Sequence, residues 1–155
     1  MLNTRIKPHA TMTDIVELLD RGEAEKALAS IAHCGQDSPP WRNARGVCLL
    51  RLGRYDEAVR TFRELVFPGG RIVVAEDVPP LYVANFITAM LLKRNLEAAI
   101  PLLEHLHEDG NPYVRQLLQA TRQWRRSLTW VQRLRCYIGW YPGKPFPLDF
   151  PPGRL

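Results

Sequence analysis

Apolar positions in the middle of the chain recur three and four residues apart, and the pattern changes register at glycines. In NARGVCLLRLGRYDEAVRTFRELV, residues 43–66, Val47 and Leu50 share one helical face with Gly46 or Leu49. Gly53 ends this first helix, because a glycine just past the last turn takes the left-handed conformation without steric cost. A second helix starts near Tyr55, with Asp56 and Glu57 in the first turn, where the helix dipole favours negative charge. Ala58, Phe62 and Leu65 recur at helical spacing as its buried face. Gly46 and Ala58 are small enough for two antiparallel backbones to approach closely, with Phe62 filling the space beside them. The pattern predicts a helical hairpin.

The same grammar occurs twice more. Upstream, ELLDRGEAEKALASIAH places Leu18 and Leu19 before Gly22, then Ala24, Ala27 and Ile31. Downstream, ANFITAMLLKRNLEAAIPLLEHL has Asn95 near its turn, then Leu96, Ala99, Leu103 and Leu106. In order and spacing, Gly46, Gly53, Tyr55, Ala58 and Phe62 resemble the signature of a tetratricopeptide repeat (TPR), whose period is about 34 residues. Gly22 to Gly53 and Ala27 to Ala58 are both 31 residues, and Ala58 to Ala99 is 41. The central copy departs from the pattern at Arg42, where Trp is common (Trp41 is one residue early), at Arg45, where Leu is usual, and at Leu65, where a small residue is usual.

The resemblance implies an all-α, TPR-like α-solenoid in one domain over 1–155. Three hairpins fall at about 11–34, 41–67 and 80–107, with a degenerate helical unit at about 112–138 and an extended Pro-rich segment at 139–155. It also implies a non-enzymatic scaffold that receives a peptide or helix of a partner protein in a groove lined by the first helix of each hairpin. The lining positions carried over are Asn43, Val47, Leu50 and Arg51 in the second copy, Ala84, Asn85, Thr88 and Leu91 in the third, and Met12, Val16 and Leu19 in the first. Asn43 and Asn85 are suited to hydrogen-bond a peptide backbone. Arg51 with two asparagines falls short of the Lys- and Asn-rich clamp by which some members hold a terminal carboxylate.

Punctuation divides the chain accordingly. Residues 1–10 read as a lead-in; Thr11 or Thr13 caps the first helix, which runs to about Leu19, and its partner covers roughly Glu23 to His33. GQDSPP, 35–40, is a linker in which Ser38 caps and Pro39 opens the next helix. FPGGRIVVAEDVPP, 67–80, is expected to be a long loop packed against the stack; its Arg71–Ala75 stretch has extended character, which offers a second reading in which it pairs with a partner's strand edge. From Tyr113 a three-four rhythm runs through Val114, Leu117, Thr121, Trp124, Leu128, Val131 and Leu134. A break is predicted at Ser127–Thr129, where Thr129 and Gln132 resemble a capping box, and the unit then serves to hide the last apolar face. Five prolines among the last 17 residues exclude helix there, while Trp140, Tyr141, Phe146, Leu148 and Phe150 predict that this segment docks on the domain, either across a helix face or in the groove. The plainest role of the groove-lining residues is then packing, against the chain's own segment or a fourth helix pair.

Composition narrows the chemistry. A hydrophobic fraction of 46% suffices for a core, and no run approaches the roughly 20 apolar residues of a membrane span. The first residues lack the apolar stretch of a signal peptide, so the expected compartment is the cytoplasm. Three scattered cysteines make no disulfide framework; Cys34 and Cys48 sit at helix-interior positions, and Cys136 stands beside Arg135, which would lower its pKa. His105 and His107 are two apart, and His33–Cys34 has no second pair, so no metal is expected. No cofactor is implied, and no paired carboxylates, nucleophile–base pair or phosphate loop argue for catalysis.

Charge is unevenly distributed. Residues 113–155 carry eight Lys or Arg and one acid, Asp149, and three of the four tryptophans. Arg122, Arg125, Arg126 and Arg133 mark a basic face. Its plainest use is a solvated cap whose arginine stems cover apolar surface; an acidic protein partner is another. Nucleic acid is the alternative of a different class, with arginines on phosphates and Trp124 and Trp130 stacking on bases. A basic amphipathic helix with Trp also suits a membrane surface. The partner's identity and any self-association are left open.

Overall fold

The computed structural model describes residues 10–71, 73–74, 77–106 and 110–155. Eight α-helices run through them: α1 Met12–Asp20, α2 Ala24–Cys34, α3 Pro39–Arg51, α4 Tyr55–Val66, α5 Pro80–Leu92, α6 Leu96–His105, α7 Pro112–Arg126 and α8 Trp130–Tyr137. Among the described residues there is no strand, and the architecture is all-helical. The lead-in at 1–9 and His107 lie outside the described residues, as does part of the stretch expected to be extended (72, 75 and 76). What is described of that loop begins with a 3-10 turn at Pro68–Gly70, with Val74 resting on the core and Val73 exposed.

Local chemistry sets the helix ends. Thr11 accepts the Asp14 N–H while the Asp14 carboxylate accepts the Thr11 N–H, a reciprocal cap for α1. Thr129 and Gln132 do the same for α8. Ser38 occupies the cap position of α3 without a side-chain bond, leaving Pro39 to set the first turn.

Three helix-to-helix turns close identically. The N–H of Gly22 donates to Leu19 and that of Glu23 to Leu18; Gly53 donates to Leu50 and Arg54 to Leu49; Arg94 donates to Leu91 and Asn95 to Met90. This is the paired Schellman closure, which requires one left-handed residue. In the third turn that residue is Arg94, at φ +68°, rather than a glycine or Asn95.

The hairpins then stack by contact between sequence neighbours. Odd-numbered helices touch in order, α1 on α3, α3 on α5 and α5 on α7, and each of α2, α4 and α6 wedges between the odd helices that flank it. At Gly46 the Phe62 ring of α4 lies directly on the α3 backbone, and a Cβ there would stand 2.4–2.9 Å from it. α5 is buried on every side from Val83 to Leu91 because α3, α4, α6 and α7 surround it, and Asn85 and Thr88 are its polar exceptions to an otherwise apolar run.

The C-terminal unit departs from expectation. α8 buries none of its residues and packs on no other helix as the earlier pairs do. Leu128 enters the core, but Val131 and Leu134, which continue the same rhythm, face solvent. The surface of α7 is instead covered by the segment that follows α8: Phe146 packs at a tilt against Trp124, ring centroids 6.0 Å apart, and Phe150 meets the Tyr113 ring edge-on at 5.8 Å.

Candidate functional site: a groove that grips its own chain

Side chains of α3, α5 and the start of α7 line one strip, and residues 152–154 are bonded along it. Asn85 of α5 is fully buried, and its amide pairs with the main chain of Arg154 at both ends. Its Oδ1 accepts the Arg154 N–H at 2.9 Å and its Nδ2 donates to the Arg154 carbonyl at 2.8 Å. The same Nδ2 donates to Asn43 Oδ1 at 2.9 Å, which fixes the orientation of both amides. Asn43 Nδ2 reaches the Arg154 carbonyl at 3.5 Å. An asparagine used this way imitates a neighbouring strand.

Arg51, on the last turn of α3, donates from Nε to the Pro152 carbonyl at 2.8 Å and from Nη2 to the Gly153 carbonyl at 3.4 Å. Burial, and then the nearby Arg154 guanidinium, pull its pKa below the ordinary arginine value. Its partners are therefore neutral carbonyls on a partly desolvated cation, an arrangement that favours charge-assisted hydrogen bonds.

The third contact runs through Tyr113. The Gly153 N–H donates to Tyr113 Oη at 2.8 Å, Tyr113 Oη lies 2.9 Å from Thr88 Oγ1, and Thr88 Oγ1 donates to the Ala84 carbonyl at 2.8 Å. Because the Thr88 proton is committed to Ala84, the Tyr113 hydroxyl donates to Thr88, and the three bonds form one directional chain. Burial raises the Tyr113 pKa, opposed by its bonds to Thr88 and Gly153, so the phenol keeps the proton this chain requires.

Gly153 is required twice over. Its φ is +80°, and a Cβ would lie 3.0 and 3.1 Å from the Val47 methyls and 3.2 Å from Leu50 Cδ1. Val47 and Leu50 thus form the floor, and Asn43, Arg51, Asn85 and Thr88 the polar walls. Of the eleven lining positions expected from sequence, Asn43, Arg51 and Asn85 bond residues 152–154 of the chain itself, Val47 and Leu50 lie against Gly153, and Thr88 connects to the segment through Tyr113. From the first hairpin, Leu19 is in the core and Val16 is exposed; among the described residues, none of the hydrogen bonds of segment 150–154 goes to α1.

Two site residues were not anticipated. Tyr113 was legible as an apolar helix-start position, but nothing local marks its hydroxyl as a donor and acceptor. Gly153 follows Pro151–Pro152 and reads alone as an end-of-segment turn.

The basic positions do not form one site. Arg122, Arg126 and Arg133 are exposed, whereas Arg125 pairs with Glu104 at 2.8 Å and lines a cleft with Arg133, Cys136 and Tyr141. Cys136 departs from expectation: burial raises its pKa, and the cation that opposes this is Arg125, not Arg135. Cys48 is pushed up to about 12 by burial and is an inert core thiol. Among the described residues no group of three or more His, Cys, Asp or Glu is gathered as metal ligands would be, and no helix is long and apolar enough to cross a membrane. Comparison with protein-family models, curated proteins and solved structures finds no match to the chain.

Proposed function

We propose that this chain is a non-enzymatic, TPR-like interaction module of the cytoplasm, whose groove takes an extended segment of a partner protein in place of its own residues 150–154. The observation that carries this reading is the kind of group the groove contacts. Asn85, Arg51 and Tyr113 all bond main-chain atoms, and Gly153 is held where any side chain would clash. Such a site selects a backbone with glycine at one position, in the left-handed conformation, and an aromatic residue three before it, where Phe150 sits. The resident segment then acts as a cis competitor. It lowers the apparent affinity for a partner in proportion to the time it spends seated.

The test is a fluorescent peptide of residues 146–155 added to the full chain and to its Gly153→Val variant. The variant, unable to seat its own segment, should bind the peptide at least tenfold more tightly than the parent does. Equal, negligible binding by both, with the variant's own segment shown to be released by faster protease cleavage, would overturn the reading: the groove would be only the seat of one core element.

A further inference from the structure

α8 is amphipathic in the wrong sense for a core helix. Trp130, Leu134, Tyr137 and Ile138 stand at i, i+4, i+7 and i+8 and form one outward stripe, exposed by 72%, 61%, 89% and 78% respectively. Gln132 and Cys136, on the opposite side, are the half-buried positions. Arg133 and Arg135 flank the stripe, and the Arg135 guanidinium lies 4.6 Å over the ring of Trp140, which is also largely exposed. No acidic residue occurs anywhere between 113 and 148.

We propose that α8 seats the protein on an anionic lipid surface, its stripe entering the headgroup boundary and its arginines meeting lipid phosphates and carboxylates. The charge pattern decides among occupants. A second copy presenting the same face would set arginine against arginine with no carboxylate to separate them. The stripe is a ridge carrying Trp and Tyr, side chains that settle at membrane–water interfaces, where no complementary groove is needed. The site lies outside the groove and does not depend on what the groove binds.

The experiment mixes the full chain with phosphatidylcholine vesicles or with vesicles containing a quarter phosphatidylserine, and follows tryptophan emission and co-sedimentation. Trp41 and Trp124 are buried, so a blue shift reports Trp130 and Trp140. Partition should be at least tenfold stronger on the anionic vesicles and weaken with salt. Arg133→Gln should lower it about fivefold, the effect of one basic residue near a charged surface. The double variant Leu134→Ser, Tyr137→Ser should lower it at least about tenfold with an unchanged melting temperature, since neither side chain is in the core. The proposal fails if anionic vesicles bind no better than neutral ones, or if the double variant binds like the parent. It also fails if the stripe instead drives a dimer that Leu134→Ser dissolves, or if the arginines retain an oligonucleotide whose binding the double variant leaves intact.

Discussion

Replacing Gly153 with alanine asks whether segment 150–154 is a built part of the fold. Two costs add. At φ +80° an L-residue crowds its own backbone, at about 1–2 kcal/mol. The new methyl would also stand 3.0 Å from Val47 Cγ1 and 3.2 Å from Leu50 Cδ1, inside the roughly 3.5–4.0 Å at which carbon atoms attract. Neither neighbour can swing away, because both are themselves enclosed, and overpacking of this kind costs about 1–3 kcal/mol. Restricting the unfolded chain returns about 0.4–1 kcal/mol. The net penalty is therefore about 2–4 kcal/mol. The four short hydrogen bonds holding Pro152 to Arg154 contribute about 1 kcal/mol each. The two sums are similar, so the least costly response is release of the segment while the helices stay folded. Hydrogen exchange at the Gly153 and Arg154 amides reads this directly: both should exchange about 30- to 1000-fold faster in the variant. Gly143→Ala is the control, since a Cβ there meets nothing within 4 Å. Exchange in Gly153→Ala equal to that of the parent would refute the described seat.

Three further predictions concern the helices. Gly46→Ala drives a methyl against the Phe62 ring and should destabilise by about 1–3 kcal/mol in chemical denaturation; Phe62→Leu in the same chain should recover part of that loss, and strict additivity of the two would refute direct contact. Arg94→Gly relieves the only non-glycine left-handed residue among those described and should raise stability by about 0.5–1 kcal/mol, so a lower melting temperature would argue against that backbone geometry. Cys48 gives a signed pH dependence. Its thiol ionises near 9 when unfolded and near 12 in place, so the stability it lends is intact below pH 9 and falls as pH rises from 9 to 12. The slope tends to about 1.4 kcal/mol per pH unit. Cys48→Ala should flatten that part of an alkaline stability profile, and an unchanged slope would contradict its burial.

The helices were readable because their signals are local. Gly53, Ala58 and Phe62 announce a hairpin through steric demands that neighbouring residues must meet, and the Thr129–Gln132 cap is a four-residue motif. Asn43, Arg51 and Asn85 were found through the TPR resemblance, and the aromatic, Pro-rich end was readable as a docking segment. What could not be read is where distant surfaces meet. A three-four rhythm has the same form whether its stripe faces core or solvent, so Val131 and Leu134 were assigned inward although the extended segment had already covered α7. Arg94 escaped notice because the turn imposes its conformation and the residue itself does not prefer it. Tyr113 and Gly153 acquire meaning only opposite each other, 40 residues apart.

The hydrogen bonds from Arg51 to Pro152 and from Asn43 to Arg154 span 101 and 111 positions in a chain whose helices otherwise meet near neighbours. They tie residues 152–154 back to α3, leaving α1 and α2 outside the closed loop. Helices joined only in series can melt from either end, each junction failing independently. While residues 152–154 are seated, α3, α5 and α7 are also joined through that segment, so opening any one of them costs more than it would in a purely serial stack. Closing so large a loop also carries an entropic cost that is met only once the hairpins exist, so seating of residues 152–154 should follow formation of the helices it bridges.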